Sequence, residues 1–275
     1  MSTTATTRTE SFTDVSTLIV RNEVGNITIR SRTTDGTAHL YLSAHGAVDV
    51  ESATVRCDDG VLEVDLSELL AEDGRGFRFQ LGPISLSSGA RRVDVEVDLP
   101  HDADIKAITK SGDIIVSGDS GSINAKTGSG TIAFENAEQV RLSTGSGDIS
   151  GSSCRGGTVS TGSGDVDLGE VTGASLETRA GSGSITVRHT LLEQFSASTG
   201  AGDISLHLGQ GSLAAKSGSG SIDVVVPQGI AVWLDLASGM GRVSKDIDSV
   251  GAPEEGQPHL SIKAKSGVGS IRIHH

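Results

Sequence analysis

Thr127-Gly-Ser-Gly-Thr-Ile132, Thr144-Gly-Ser-Gly-Asp-Ile149 and Thr161-Gly-Ser-Gly-Asp-Val166 are three copies of one motif, and they decide the fold. The motif continues as Ala180-Gly-Ser-Gly-Ser-Ile185, Thr199-Gly-Ala-Gly-Asp-Ile204 and Ser217-Gly-Ser-Gly-Ser-Ile222. Looser copies are Thr109-Lys-Ser-Gly-Asp-Ile114, Ser238-Gly-Met-Gly-Arg-Val243 and Ser266-Gly-Val-Gly-Ser-Ile271. Anchored on the second glycine, they stand at 112, 130, 147, 164, 183, 202, 220, 241 and 269, in steps of 18, 17, 17, 19, 19, 18, 21 and 28. A repeat of this length marks a solenoid, whose coils bury their apolar faces only by stacking on one another.

The columns between anchors alternate as strands do. Two residues after the anchor stand Ile114, Ile132, Ile149, Val166, Ile185, Ile204, Ile222, Val243 and Ile271. The column seven before it is apolar except for Gly157. The column five before it is small or aliphatic except for Thr178, and the column four after it fails only at Gly151 and Lys245. Position −6 is mostly polar, from Lys106 and Asn124 to Lys263. Positions −7, −5, −3, +2 and +4 therefore face inward, and each coil has one strand before the glycine corner and one after it. With side chains alternating in and out, backbone groups must pair with the coils above and below, about 4.8 Å away. The expectation is a right-handed parallel β-helix with coils of about 17–19 residues, since parallel crossovers take that hand.

Leu18, Val20, Gly25, Ile27 and Ile29 fit the same frame and predict an extra coil at the N-terminus. Residues 30–100 alternate, as in Arg92-Val-Asp-Val-Glu-Val-Asp-Leu99, but lack the glycine corner, and predict irregular coils or a cap. Residues 1–16 predict a disordered tail, 17–275 a single solenoid domain, and 101–275 its regular coils.

Val95-Glu-Val-Asp-Leu-Pro100, Lys110-Ser-Gly-Asp-Ile114 and the repeats after them resemble a bacterial family of β-strand-repeat domains of unknown function. Its members are known as putative adhesins and are related to the heads of autotransporter-like adhesins. The resemblance spans roughly residues 18–275 and implies a parallel β-helix. It implies no established chemistry and carries over no catalytic residue.

Composition narrows the partners. Thirty-five acidic residues against 22 basic give a formal charge of −13, which argues against nucleic acid. With only five Phe, one Tyr and one Trp, the core must be built from Ile, Val, Leu and Ala. The opening residues lack the apolar stretch of a secretory signal, no run is long enough for a membrane helix, and Cys57 and Cys154 have no metal-ligand spacing. These features predict a cytoplasmic protein.

Several residue types invite chemistry. Gly-x-Gly at eight of the nine corners could suggest a phosphate cradle, but none completes Gly-x-Gly-x-x-Gly or leads to a Lys-Ser/Thr pair. Thr and Ser at −3 recur in almost every layer without a base, and predict bonding to local backbone. Asp113, Asp148, Asp165 and Asp203 follow the anchor. Adjacent carboxylates there could serve a retaining glycosidase or a calcium ion, but turn aspartates ordinarily bond backbone amides. No residue is assigned a catalytic, cofactor-binding or metal-binding role, and no cofactor is expected.

Outward positions −6 and −4 carry Lys106, Lys126, Arg141, Arg179, Lys216, Lys263 and Lys265, while Asp167 and Asp223 extend an acidic strip past the corner. The strips suit lateral self-pairing or an acidic partner. The chain stops two residues after Ile273, which predicts an open edge at the C-terminal end. The reading is a non-catalytic scaffold or assembly module of putative-adhesin type, forming homo-oligomers through that end or the outer strand face. Another protein or a glycan is the other partner it admits. The alternative is a carbohydrate-binding or carbohydrate-active β-helix protein.

Overall fold

The computed structural model describes residues 6–46, 48–71, 91–248 and 259–275. They fall into two compact units, Met1–Gly130 and Thr131–His275. The fold is a parallel β-solenoid, with antiparallel strands confined to the first unit.

In the first unit the strands are β1 (Thr6–Phe12), β2 (Thr17–Arg21), β3 (Ile27–Thr33), β4 (Ala38–His45), β5 (Thr54–Asp58), β6 (Val61–Asp65), β7 (Arg92–Pro100), β8 (Asp104–Ser111) and β9 (Ile114–Ser129). The coil β2–β3 is an interior layer. On one side Leu18 and Val20 align with Ile105 and Ala107 of β8, and Ile27 and Ile29 with Ile114 and Val116 of β9. On the other side β2 pairs with β6 and β3 with β7. Leu18, Val20, Ile27 and Ile29 have no exposed surface, so a coil this apolar needs cover on both faces. Antiparallel strands then finish the unit: β5 on β6, β4 on β7 and β1 on β4.

Strand β1 lies where the sequence predicts a disordered tail. Its β-branched threonines suit a strand, and the edge of β4 supplies the backbone partners. Arg8 anchors it by donating to the carbonyls of Val50, Glu51 and Ala53 at 3.2, 3.2 and 2.9 Å.

In the second unit the strands are β10 (Ile132–Ser146), β11 (Ile149–Cys154), β12 (Gly157–Ser163), β13 (Val166–Ser182), β14 (Ile185–Ala201), β15 (Ile204–Ser219), β16 (Ile222–Val225), β17 (Ala231–Met240), β18 (Val243–Asp246), β19 (His259–Val268) and β20 (Ile271–His274). Up to β16 the coils stack in chain order. After that the order changes: β19 pairs with β15 on one side and β17 on the other, and β20 lies between β16 and β18. The last coil in sequence is therefore the second-to-last layer, and β17–β18 form the final one.

This corrects the expected open edge beyond Ile273, which is fully buried. The cause lies in the inward columns. Leu260, Ile262, Ala264, Ile271 and Ile273 are apolar throughout and need two covering layers, whereas β18 carries Lys245, whose ammonium needs water. In the +2 column eight residues are at most 1% exposed, while Val243 is 45% exposed. The 28-residue step before the last anchor leaves an extra stretch around 248–258, which lies almost wholly outside the described residues.

The other misfits have local causes. Thr178 is buried and donates to the Ser196 carbonyl at 3.4 Å. The Phe134 ring fills the space that a side chain at Gly151 would need. Gly157 closes a short coil at φ +130°, with the Val140 carbonyl oxygen 1.9 Å from where its Cβ would be.

Ile149→Asp places an unpaired carboxylate between two layers, and we expect insoluble or unfolded protein. Asn124→Asp, on the outer face in register with Lys106, should melt like the wild type by circular dichroism.

Candidate interaction surface

The corner residues form three interlocking sets of contacts. The −3 hydroxyl donates to the anchor-glycine carbonyl of the neighbouring coil: Thr127 to Gly112 (3.0 Å), Thr161 to Gly147 (2.9 Å), Thr199 to Gly183 (2.9 Å), Ser217 to Gly202 (2.9 Å) and Ser266 to Gly220 (2.8 Å). The anchor amide donates the other way, as from Gly164 to the Ser182 carbonyl at 2.9 Å. The anchor has φ near +143°, and a Cβ on Gly164 would stand 2.1 Å from the Gly147 carbonyl oxygen. The glycine thus serves both conformation and close stacking.

The third set explains the aspartates. Asp148 Oδ1 accepts the Asp165 amide at 2.8 Å, Asp165 Oδ1 accepts the Ser184 amide at 2.7 Å, and Asp203 Oδ1 accepts the Ser221 amide at 2.7 Å. Asn26 and Asp94 do the same in the first unit, accepting the Asp113 and Asn26 amides at 3.0 and 2.9 Å. The side chain bonds the next coil, where the sequence suggests a local turn. The ladder runs on through Ser221 and Ser270 to the Arg242 amide. It stops there, because an arginine side chain has no acceptor. Among the described residues no cluster of three or more His, Cys, Asp or Glu could hold a metal ion.

Two other groups superficially resemble reactive sites. Ser11 Oγ lies 2.9 Å from His39 Nδ1, and His39 stands opposite Asp98 on β7. The Asp98 oxygens, however, take Arg30 at 3.4 Å and Arg32 at 2.6 Å, so the carboxylate that would orient a base is engaged elsewhere. Cys154 is buried, and burial pushes its thiol pKa up, the reverse of a reactive thiolate.

What remains is surface, and two parts of the second unit stand out. One is the bare outer side of β17–β18. Gly220 and Ile222 donate to the Val268 and Ser270 carbonyls of the layer beyond, whereas the equivalent amides of Gly241 and Val243 have no acceptor among the described residues. Val232, Leu234 and Leu236 are only half-buried there, and Met240 is exposed. The other is an open groove of about 500 Å³ on the outer strand face, crossing five coils beside −8 and −6.

The Toastrack DUF4097 family matches residues 15–275, nearly the whole chain. The chain belongs to that family. Among curated proteins none matches it in sequence. Two solved structures share the Toastrack-like fold. A putative adhesin from Parabacteroides distasonis aligns with TM-score 0.58 and 11% identity, over 98% of this chain and 97% of that one. A putative adhesin from Bacteroides fragilis aligns with TM-score 0.50 and 16% identity, over 98% and 97%. At these identities the likeness is one of fold.

Two outcomes test the corner of this Toastrack chain. Gly164→Val combines a glycine-only conformation, costing about 1–3 kcal/mol, with a backbone clash. It should lower the melting temperature sharply, while Ser163→Ala changes little. Asp165→Ala should lose about 1 kcal/mol in urea unfolding, the worth of one hydrogen bond. Millimolar calcium should leave the wild-type midpoint unmoved; a rise abolished by that substitution would assign the column to metal binding.

Proposed function

We propose that the chain is a non-catalytic assembly module of adhesin type, and that a second copy docks on the bare layer at β17. The observation that supports this most is the apolar row Val232, Leu234 and Leu236, left half-buried along an edge strand. The surface that fits one face of a coil is another coil, and an isologous contact needs only this one patch. Lys245 at an inward position keeps the β18 half of the layer in water, so the contact is limited to β17 and closes as a dimer. The adhesin names of the structural neighbours agree with an interaction role. Cys57, exposed and free, and Cys154, buried and free, suit a reducing compartment, and the proposal places the protein in the cytoplasm.

Light scattering on a size-exclusion column should give twice the 28.1 kDa chain mass at micromolar concentration. Leu234→Lys puts a charge in the middle of the half-buried row on β17 itself and should give a monomer whose circular dichroism stays that of the wild type. A wild-type monomer at every concentration would overturn the dimer.

A further inference from the structure

The groove on the outer face of the second unit has features that a merely solvated strand face does not need. Its lining includes a shelf of small polar groups in successive coils, with Gln194, Ser212 and Ser261 at position −8 and Ser196 at −6, alongside Glu177 and Lys263. Beside the groove, at −4 and outside its lining, the intercalated order places Lys216 directly opposite Lys265 in adjacent layers, both exposed. Neither has a carboxylate partner among the described residues, although like charges in direct register repel. The neighbouring cations are neutralised: Lys263 pairs with Asp235 at 3.2 Å and Arg179 with Glu177 at 2.5 Å. On a chain of formal charge −13, two adjacent unpaired ammonium groups are a local exception. At the end of the −8 row, in register beside Ser261, stands Trp233, the only tryptophan and 73% exposed.

We infer that this groove binds an extended acidic polysaccharide lying along the stack, across the strands. The regular hydroxyl and amide groups match a polymer that offers hydroxyls at a regular spacing. The Lys216–Lys265 pair meets its carboxylate or sulfate groups, and the flat indole covers the apolar face of a sugar ring. A peptide adding as a strand would need a free edge, and every strand under the shelf is paired on both sides. The inference rests on the reading of a non-catalytic binding module and names a ligand class for it.

Native gels cast with polygalacturonate, heparin or neutral dextran test this on the full chain. The wild type should be retarded by at least one polyanion and not by dextran, with polygalacturonate against heparin distinguishing carboxylate from sulfate. Lys216→Ser with Lys265→Ser should lose the retardation while keeping the wild-type melt, and Trp233→Ala should weaken it. No retardation in either polyanion, or retardation that survives the double substitution, would overturn the site. Equal retardation by polyglutamate, indifferent to Trp233→Ala, would do so in favour of an acidic protein segment. Reducing ends released from a polymer that still binds would instead count against the non-catalytic reading and leave the groove standing.

Discussion

At nearly every corner, Ala180 excepted, a hydroxyl from one coil reaches the glycine carbonyl of its neighbour, and the rest of the structure depends on that contact. It needs three things together: a hydroxyl at −3, a residue without a Cβ at the anchor, and a layer spacing short enough for a bond of about 2.9 Å. A side chain on the glycine would occupy the site of the carbonyl oxygen below it. The corner can therefore stack at the layer spacing of the paired strands only where glycine stands. Polar groups that look reactive in the sequence are consumed here, because a buried polar atom left without a partner is costly.

The ends of each unit follow from the same accounting of cover. A layer that is apolar at −7, −5, +2 and +4 must have a layer on both sides, which is why β2–β3 and β19–β20 lie inside their stacks although they are the first and last coils in sequence. The first unit finishes in antiparallel strands. The second finishes in a coil that carries Lys245 inward and Arg242 at the end of the amide ladder, two residues that neither need nor offer a further layer on that side. The apolar half, β17, has no such protection. The proposed self-association and the glycan groove both belong to this unit because its outer coils carry side chains not used in stacking.

The repeat made the coil, its two strands and its inward columns legible, since +2 and −7 must be apolar wherever coils stack. Stacking order was not legible, because identical coils present identical columns, and sequence neighbours need not be spatial ones. Signals for it did exist: Lys245 in an inward column and the 28-residue step before the last anchor. The aspartates were recognisable as structural, but their partners lie in the next coil, where a reading of local turns does not look. Lys216 opposite Lys265 and Trp233 beside Ser261 became neighbours only through the intercalation, so the groove was hidden even though each residue was visible.

The order of the last three layers therefore carries the account, and cysteine pairs test it directly. Ser212 lies next to Ser261, and Trp233 lies one layer further on. Adjacent layers stand about 4.8 Å apart, within the Cα range of a disulfide of roughly 4.4–6.8 Å, and alternate layers stand beyond it. In a Cys57→Ser background, Ser212→Cys with Ser261→Cys should cross-link under mild oxidation, and Ser212→Cys with Trp233→Cys should not. Cross-linking of the second pair and not the first would put the coils in chain order and contradict the account.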